Sequence, residues 1–400
     1  MVGIVSTRIN LGAVKLDPTE VRHRLEPLFQ ENFTRFGELG AAVSVWQHGE
    51  PILELTGGYR DKRKEYPWTP NTLVLVWSAT KGIGSVCLLH ALQENRIGIS
   101  RRVVDFWPEF GAYGKQEVTI ATVMAHAAGL CALDTSANIQ DYGAVILALE
   151  KQTPLWPPDT AHGYHARTFG FLIDELTRRI TGKSIAVYWR EQFGDPLGLD
   201  FWIGLPNELN DRVATTYAAK AGGTPEPAKF YRDLATPGTL QRRVFTSPAG
   251  LNSVTAMNRP EIRAQPIVSF GGIGNATALA RFYDMLANGG WARDQRYFTD
   301  ETISLMATPR HQGMDRVFEI PTAFSAGLMV MGNGAKDGSL IGNSGQSFGH
   351  PGAGGSLGFA DPQNGVGFGY VMNQMEQSVL PGTKALRLVE SVYACLGTGR

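Results

Sequence analysis

Residues 78–100, SATKGIGSVCLLHALQENRIGIS, restrict the fold more than any other stretch of the chain. Read as a helix, the segment is apolar nearly all round, with Ile83, Val86, Cys87, Leu88, Leu89, Ala91 and Leu92 on its successive faces. Such a helix is buried rather than half-exposed. The rest of the chain must close around it, and 400 residues at 43% hydrophobic content supply ample core material. Two hydrophilic groups enter that core at the helix start, Ser78 and Lys81.

S-A-T-K at 78–81 follows the apolar segment NTLVLVW (71–77), read as a strand. A serine opening a helix lies near free backbone N–H groups and the positive end of the helix dipole. A lysine one turn on shares its face and reaches its hydroxyl. A serine needs a base to become a nucleophile, and a lysine in apolar surroundings can have its pKa lowered enough to serve. The plain alternative is a capping serine followed by a surface lysine.

The flanks read as an α+β architecture. DPTEVRHRLEPLFQENFTRF (17–36) is an amphipathic helix, with Asp17 as cap and Pro18 in the first turn. AAVSVWQ (41–47) and PILELTGGY (51–59) form a hairpin around HGE. Between about 100 and 230 the chain is helical and loop-rich, with helices at 119–130, 143–151, 167–182 and 184–194 and a rigid turn, WPPD, at 156–159. A helix follows at 276–290. The end returns to strands at 323–333, 356–360 and 366–374 and closes on a helix at 383–397. The economical fold is one antiparallel sheet built from both termini and covered by helices, spanning 1–99 and 231–400, with a mostly helical region, 100–230, inserted.

GQSFGHPGAGGSLG (345–358) carries the G-x-S-x-G pattern twice, at Ser347 and Ser356. That pattern marks the nucleophile of α/β-hydrolases, whose triad runs Ser, acid, His along the chain. No histidine follows Ser356, and only His350 follows Ser347, with no acid between them. FGHPGAGG after Ser347 cannot be the helix such a serine must open. Neither serine is the nucleophile. The stretch reads instead as a glycine-lined wall where a ligand approaches the backbone, with His350-Pro351-Gly352-Ala353 preceding a strand near the sheet edge. A backbone N–H there, with that of Ser78, would form an oxyanion hole.

GYHARTFG (163–170) adds Tyr164, just ahead of a helix. Its phenol would shuttle a proton if a nearby lysine lowered its pKa; taken alone it is an ordinary core tyrosine. His162 and His165 flank it as candidates to line the cleft or as plain loop residues, and His165 is carried as a substrate-binding candidate. His126, in an apolar helix, reads as a satisfied core histidine. Trp77, Trp156 and Trp202 offer an aromatic acyl pocket or simple packing.

Thirty-seven basic against 37 acidic side chains point to neither nucleic acid nor anionic membrane as a partner. No run approaches the roughly 18 apolar residues of a membrane span. The N-terminus lacks the pattern of a signal peptide, so a cytoplasmic location is expected. Cys87, Cys131 and Cys395 are far apart and without metal spacing, which suits free buried thiols. No metal or other cofactor is expected, and the partner is a small-molecule ester; oligomeric state is left open.

Ser-x-x-Lys, Tyr164 and the HPG stretch, in this order, resemble the serine β-lactamase and penicillin-binding-protein-like superfamily over about residues 20–397. GGYRDKRKEYPWTPNTLVLVWSATKG, TIATVMAHAAGL and SFGGIGNATALARFYDMLANGG are similar to flanking phrases of that superfamily. The nearest subgroup is the class C β-lactamase-like, family VIII carboxylesterases. The resemblance implies that Ser78 is acylated, that Lys81 is the base or tunes it, and that Tyr164 activates the nucleophile and then the deacylating water. It implies that His350, Gly352 and Ala353 stand where β-lactamases carry Lys-Thr-Gly, with Ala353 giving the second oxyanion N–H. Two departures stand out: Ala166 replaces the asparagine of Tyr-x-Asn, and His350 replaces the lysine of Lys-Thr-Gly. Both losses favour small uncharged esters over β-lactams. A β-lactamase, a D-amino-acid amidase or peptidase, an acyltransferase and a non-catalytic ligand-binding relative are the alternatives on the same fold.

Overall fold

The computed structural model describes residues 14–220, 228–331 and 341–397. The first residues of the N-terminus and the end of the expected 323–333 strand lie outside them. Five helices and one sheet position the site. Helix α1 (Pro18–Thr34) has Asp17 as its cap, accepting from the Thr19 N–H at 2.8 Å. Helix α2 (Ala79–Glu94) is buried at every residue from Ala79 to Leu92. Helices α3 (Phe169–Thr181), α4 (Ala276–Ala287) and α5 (Thr383–Cys395) complete the set.

The main sheet is antiparallel throughout. Its strands are β1 (Gly40–Gln47), β2 (Glu50–Gly58), β3 (His311–Met314), β4 (Pro321–Phe324), β5 (Met329–Val330), β6 (Phe348–Pro351), β7 (Leu357–Asp361) and β8 (Val366–Met372). They lie in the order β2-β1-β8-β7-β6-β5-β4-β3, so both ends of the chain meet where β1 pairs with β8. His350 lies within β6, opposite Gly358, in the interior of the sheet. The expectation of a stretch before a strand and near an edge is therefore corrected: β3, β4 and β5 lie beyond it.

One face of the sheet packs on α1 and α5, through Leu357, Phe359, Phe368 and Tyr370 against Leu25, Phe29, Leu388 and Val392. A buried ion pair, Lys384 Nζ to Glu38 Oε2 at 2.8 Å, ties the start of α5 to the segment after α1, and the Tyr370 hydroxyl donates to the same Glu38 oxygen at 2.7 Å. The other face carries α2 and α4. Here VGFGYVM alternates glycine for a packing reason. A Cβ on Gly367 would stand 2.3 Å from the Ala280 carbonyl, and one on Gly369 2.3 Å from the Ala276 carbonyl. Helix α4 therefore rests on bare backbone.

The helix expected over 119–130 runs only from Ile120 to Met124. His126 turns the chain at φ 57°, and the carbonyls of Ala127 and Gly129 bond to Asp159 and Leu155 instead of continuing a helix. Cys87 and Cys131 are buried free thiols, and Cys395 is half-buried rather than buried. No helix among the described residues is long and apolar enough to cross a membrane.

Candidate active site

Ser78 sits at the N-terminal end of α2, directly after Trp77, which is held at φ 52°. A non-glycine residue there is strained, and it makes the sharp turn from the two-residue strand Val74–Leu75 into the helix. The turn is fixed by the Trp77 carbonyl, which accepts from the Thr80 N–H at 3.0 Å, and by the Thr80 hydroxyl, which accepts from the Gly272 N–H at 2.8 Å. The Ser78 side chain caps nothing, so the plain reading of a capping serine fails.

Lys81 is completely buried, which disposes of the surface lysine. Its Nζ donates to the Ser269 carbonyl at 2.6 Å and the Ala166 carbonyl at 2.8 Å, and lies 3.3 Å from Ser78 Oγ. No carboxylate pairs with it among the described residues. Burial therefore holds its pKa well below the usual lysine range. A neutral amine with its two hydrogens on the two carbonyls turns its lone pair to the Ser78 hydroxyl. The ammonium has three acceptors for three hydrogens.

Tyr164 is buried, with its ring 4.9 Å from Lys81 Nζ. Phe318 stacks on the ring at 4.7 Å and Phe324 at 6.2 Å. Its backbone N–H donates to Asp315 Oδ1 at 3.2 Å. Burial pushes the phenol pKa up, and a hydrogen bond with Ser78 pulls it part of the way back. The net direction is up, and the lowering that the shuttle reading asks of a nearby lysine is not seen. Asp315, itself fully buried, is raised to about 6 by burial against bonds from Phe318, Val317, Tyr164 and Thr322.

The HPGA stretch meets the segment leading into Ser78 through Gly352, whose Cβ would fall 2.0 Å from the Val76 carbonyl. Only glycine allows that approach. Ala353 follows Gly352 directly, Ser78 follows Val76 by two residues, and neither backbone N–H has a hydrogen-bond partner among the described residues. Both N–H groups are thus free to donate.

His350 is buried, not open to the cleft. Its Nδ1 lies 2.7 Å from the Pro351 carbonyl, which places the proton there and leaves Nε2 as a buried acceptor without a partner. Burial, then the nearby Lys81, hold it down to about 3, so the ring is neutral. His165, carried as a substrate-binding candidate, is fully buried. Its Nε2 accepts from the Leu130 N–H at 2.9 Å and its Nδ1 donates to the Gly163 carbonyl at 2.7 Å. Both nitrogens are engaged by backbone, and the residue is a scaffold for the Tyr164 loop. His126 accepts the His165 N–H at 3.0 Å on Nδ1, while its buried Nε2 has no partner, so it is not the satisfied histidine expected.

Of the three tryptophans, Trp77 stands beside Ser78, with its ring stacked on Phe270 at 6.3 Å. Trp156 packs beneath Gly163, and Trp202 lies against the Arg190 guanidinium at 3.8 Å. Ser347 and Ser356 are buried; Ser347 joins Ser344, Tyr393 and Asp361 in a hydrogen-bonded network. Asp315 carries no signal in the sequence and Ser269 enters only as the first residue of SFGGIGNATALARFYDMLANGG, because the groups they bond are mostly main-chain N–H and carbonyl groups. Among the described residues no group of histidine, cysteine and acidic side chains could hold a metal.

Residues 29–391 match the family described as Beta-lactamase. The chain belongs to that family. It is 32% identical over 354 residues to the esterase/beta-lactamase LipL of Mycobacterium tuberculosis, covering 85% of this chain and 78% of that one. It superposes on a penicillin-binding protein homolog from Caulobacter crescentus with a TM-score of 0.83 at 31% identity, covering 96% of this chain and 99% of that one. A family VIII carboxylesterase gives a TM-score of 0.82 at 31% identity with the same coverage. The β-lactamase-like fold follows, and with it a hydrolase of the serine β-lactamase/esterase family.

Proposed function

We propose that this hydrolase is a carboxylesterase of small uncharged esters working through an acyl-enzyme on Ser78. The observation that carries the reading is the arrangement at Lys81, whose two carbonyl partners leave the remaining position on nitrogen for Ser78. Lys81 takes the Ser78 proton as Oγ attacks the ester carbonyl. The oxyanion accepts from the N–H groups of Ser78 and Ala353. On collapse the carbon–oxygen bond to the alcohol breaks, Tyr164 protonates the alkoxide, and the proton held on Lys81 replaces it. Water then attacks the acyl group by the same route in reverse.

The side chains at the two departing positions support this substrate class. His350 is neutral and Ala166 has no amide, so neither supplies a cation or a side-chain donor for a β-lactam carboxylate and amide. The names of the LipL relative and the family VIII carboxylesterase support an ester. A panel of a p-nitrophenyl butyrate, a cephalosporin, a D-amino-acid amide and the butyrate with added alcohol tests it. The reading expects the butyrate to dominate in kcat/KM with water as acceptor. A cephalosporin or amide turned over as fast as the butyrate would replace it.

A further inference from the structure

The two carbonyls on Lys81 belong to segments far apart in sequence, and one side chain ties those segments together. The Ser269 hydroxyl donates to the Arg167 carbonyl at 2.6 Å, 102 residues away, and accepts the Gly170 N–H at 2.8 Å. Arg167 follows Ala166, so the hydroxyl grips the peptide next to one Lys81 acceptor while its own residue supplies the other. The strands of chain are in backbone contact. A Cβ on Gly170 would stand 2.3 Å from the Ser269 nitrogen and 2.5 Å from its Oγ. Ser269 is buried, its hydroxyl has both a donor and an acceptor bond, and it makes no bond to Ser78.

We propose that the Ser269 hydroxyl is a positioning group that holds the two carbonyl acceptors of Lys81 at a fixed separation. The proposal rests on the reading of Lys81 as the base for Ser78. Hydrogen bonds to an ammonium favour the charged form, so loosened acceptors make Lys81 a weaker base. Other titratable groups facing Lys81 are Tyr164, His126, His165 and His350. Burial keeps the phenol protonated and the three imidazoles neutral across the working range, with His165 at about 4 and His350 at about 3. Asp315, at about 6, bonds the Tyr164 backbone and gives a limb that Ser269 does not touch.

The test is the pH profile of kcat/KM for an aryl butyrate in Ser269→Ala, with the thermal midpoint measured alongside. The expected result is a plateau lowered about tenfold and an acid limb moved to lower pH, with KM within about twofold of the parent. Ser269→Cys, whose thiol donates weakly, moves both in the same direction by less, and it answers the question should the alanine variant not fold. An unmoved acid limb with only a lower midpoint would overturn the inference while Ser78 is still acylated. Turnover retained in Ser78→Ala would overturn both the inference and the reading beneath it.

Discussion

Gly352→Ala is the substitution that most cleanly separates folding from chemistry. The new Cβ would lie 2.0 Å from the Val76 carbonyl oxygen, and ordinary contact begins at 3.4 Å, so the two segments must open by about 1.4 Å. Val76 precedes Ser78 by two residues and Gly352 precedes Ala353 by one. The opening therefore falls on the gap between the two N–H groups proposed as oxyanion donors. Such donors act at 2.7–3.1 Å, and losing one costs roughly 10²–10³ in kcat. The fold has more tolerance, because Gly352 lies just after the end of β6 and its own N–H bond to the Ser356 carbonyl at 2.7 Å need not break. Stopped-flow acylation with a p-nitrophenyl ester should show the first step slowed by that factor, KM little changed and the thermal midpoint lowered by only a few degrees. A variant acylating within about threefold of the parent would refute the placement of the oxyanion site between these segments.

Tyr164→Phe keeps the stack on Phe318 and Phe324 but removes the proton donor, so kcat should fall by roughly 10²–10⁴ with stability retained; unchanged kcat would remove Tyr164 from the chemistry. Asp284 gives a stability prediction. Burial raises its carboxyl to about 7, against bonds from Gly49 and Asn288, and its Oδ1 has no partner. A folded-state value above the unfolded one means that protonation favours the fold. Its contribution is present below about pH 4 and is lost as pH rises through 7, at a cost of up to about 4 kcal/mol. Asp284→Asn should therefore gain on the parent in thermal midpoint between pH 5 and pH 8; a gap that narrows with pH would contradict the assignment.

The parts of the site that were legible are those whose chemistry and spacing coincide. Ser78 and Lys81 are three residues apart on one helix, and that helix is apolar enough to announce its own burial. Tyr164 and the HPG stretch are assigned through motif resemblance, and both G-x-S-x-G serines are set aside on chain order and, for Ser347, also on the glycine-rich sequence that follows it. What escaped is set by tertiary contacts. The edge of the sheet was misplaced because β3, HQGM, is polar and largely exposed, with no alternation to mark it as a strand. The helix at 119–130 was overread because apolar periodicity continues past Met124, while His126 spends its ring on the Tyr164 loop and breaks the helix. His165 was assigned to substrate because a histidine beside Tyr164 suggests chemistry; nothing in the sequence reveals that backbone groups occupy both its nitrogens. Ser269 and Asp315 act through main-chain carbonyls and N–H groups, for which a sequence holds no pattern.

The central claim is that Ser78 carries the acyl group while Lys81 accepts its proton. Intact and peptide mass spectrometry after brief exposure to a p-nitrophenyl butyrate tests it directly. The account predicts one butyryl increment on the peptide containing Ser78, none in Ser78→Ala, and strongly slowed labelling in Lys81→Ala. An increment on Ser347, Ser356 or any other residue, or full turnover in Ser78→Ala, would contradict it.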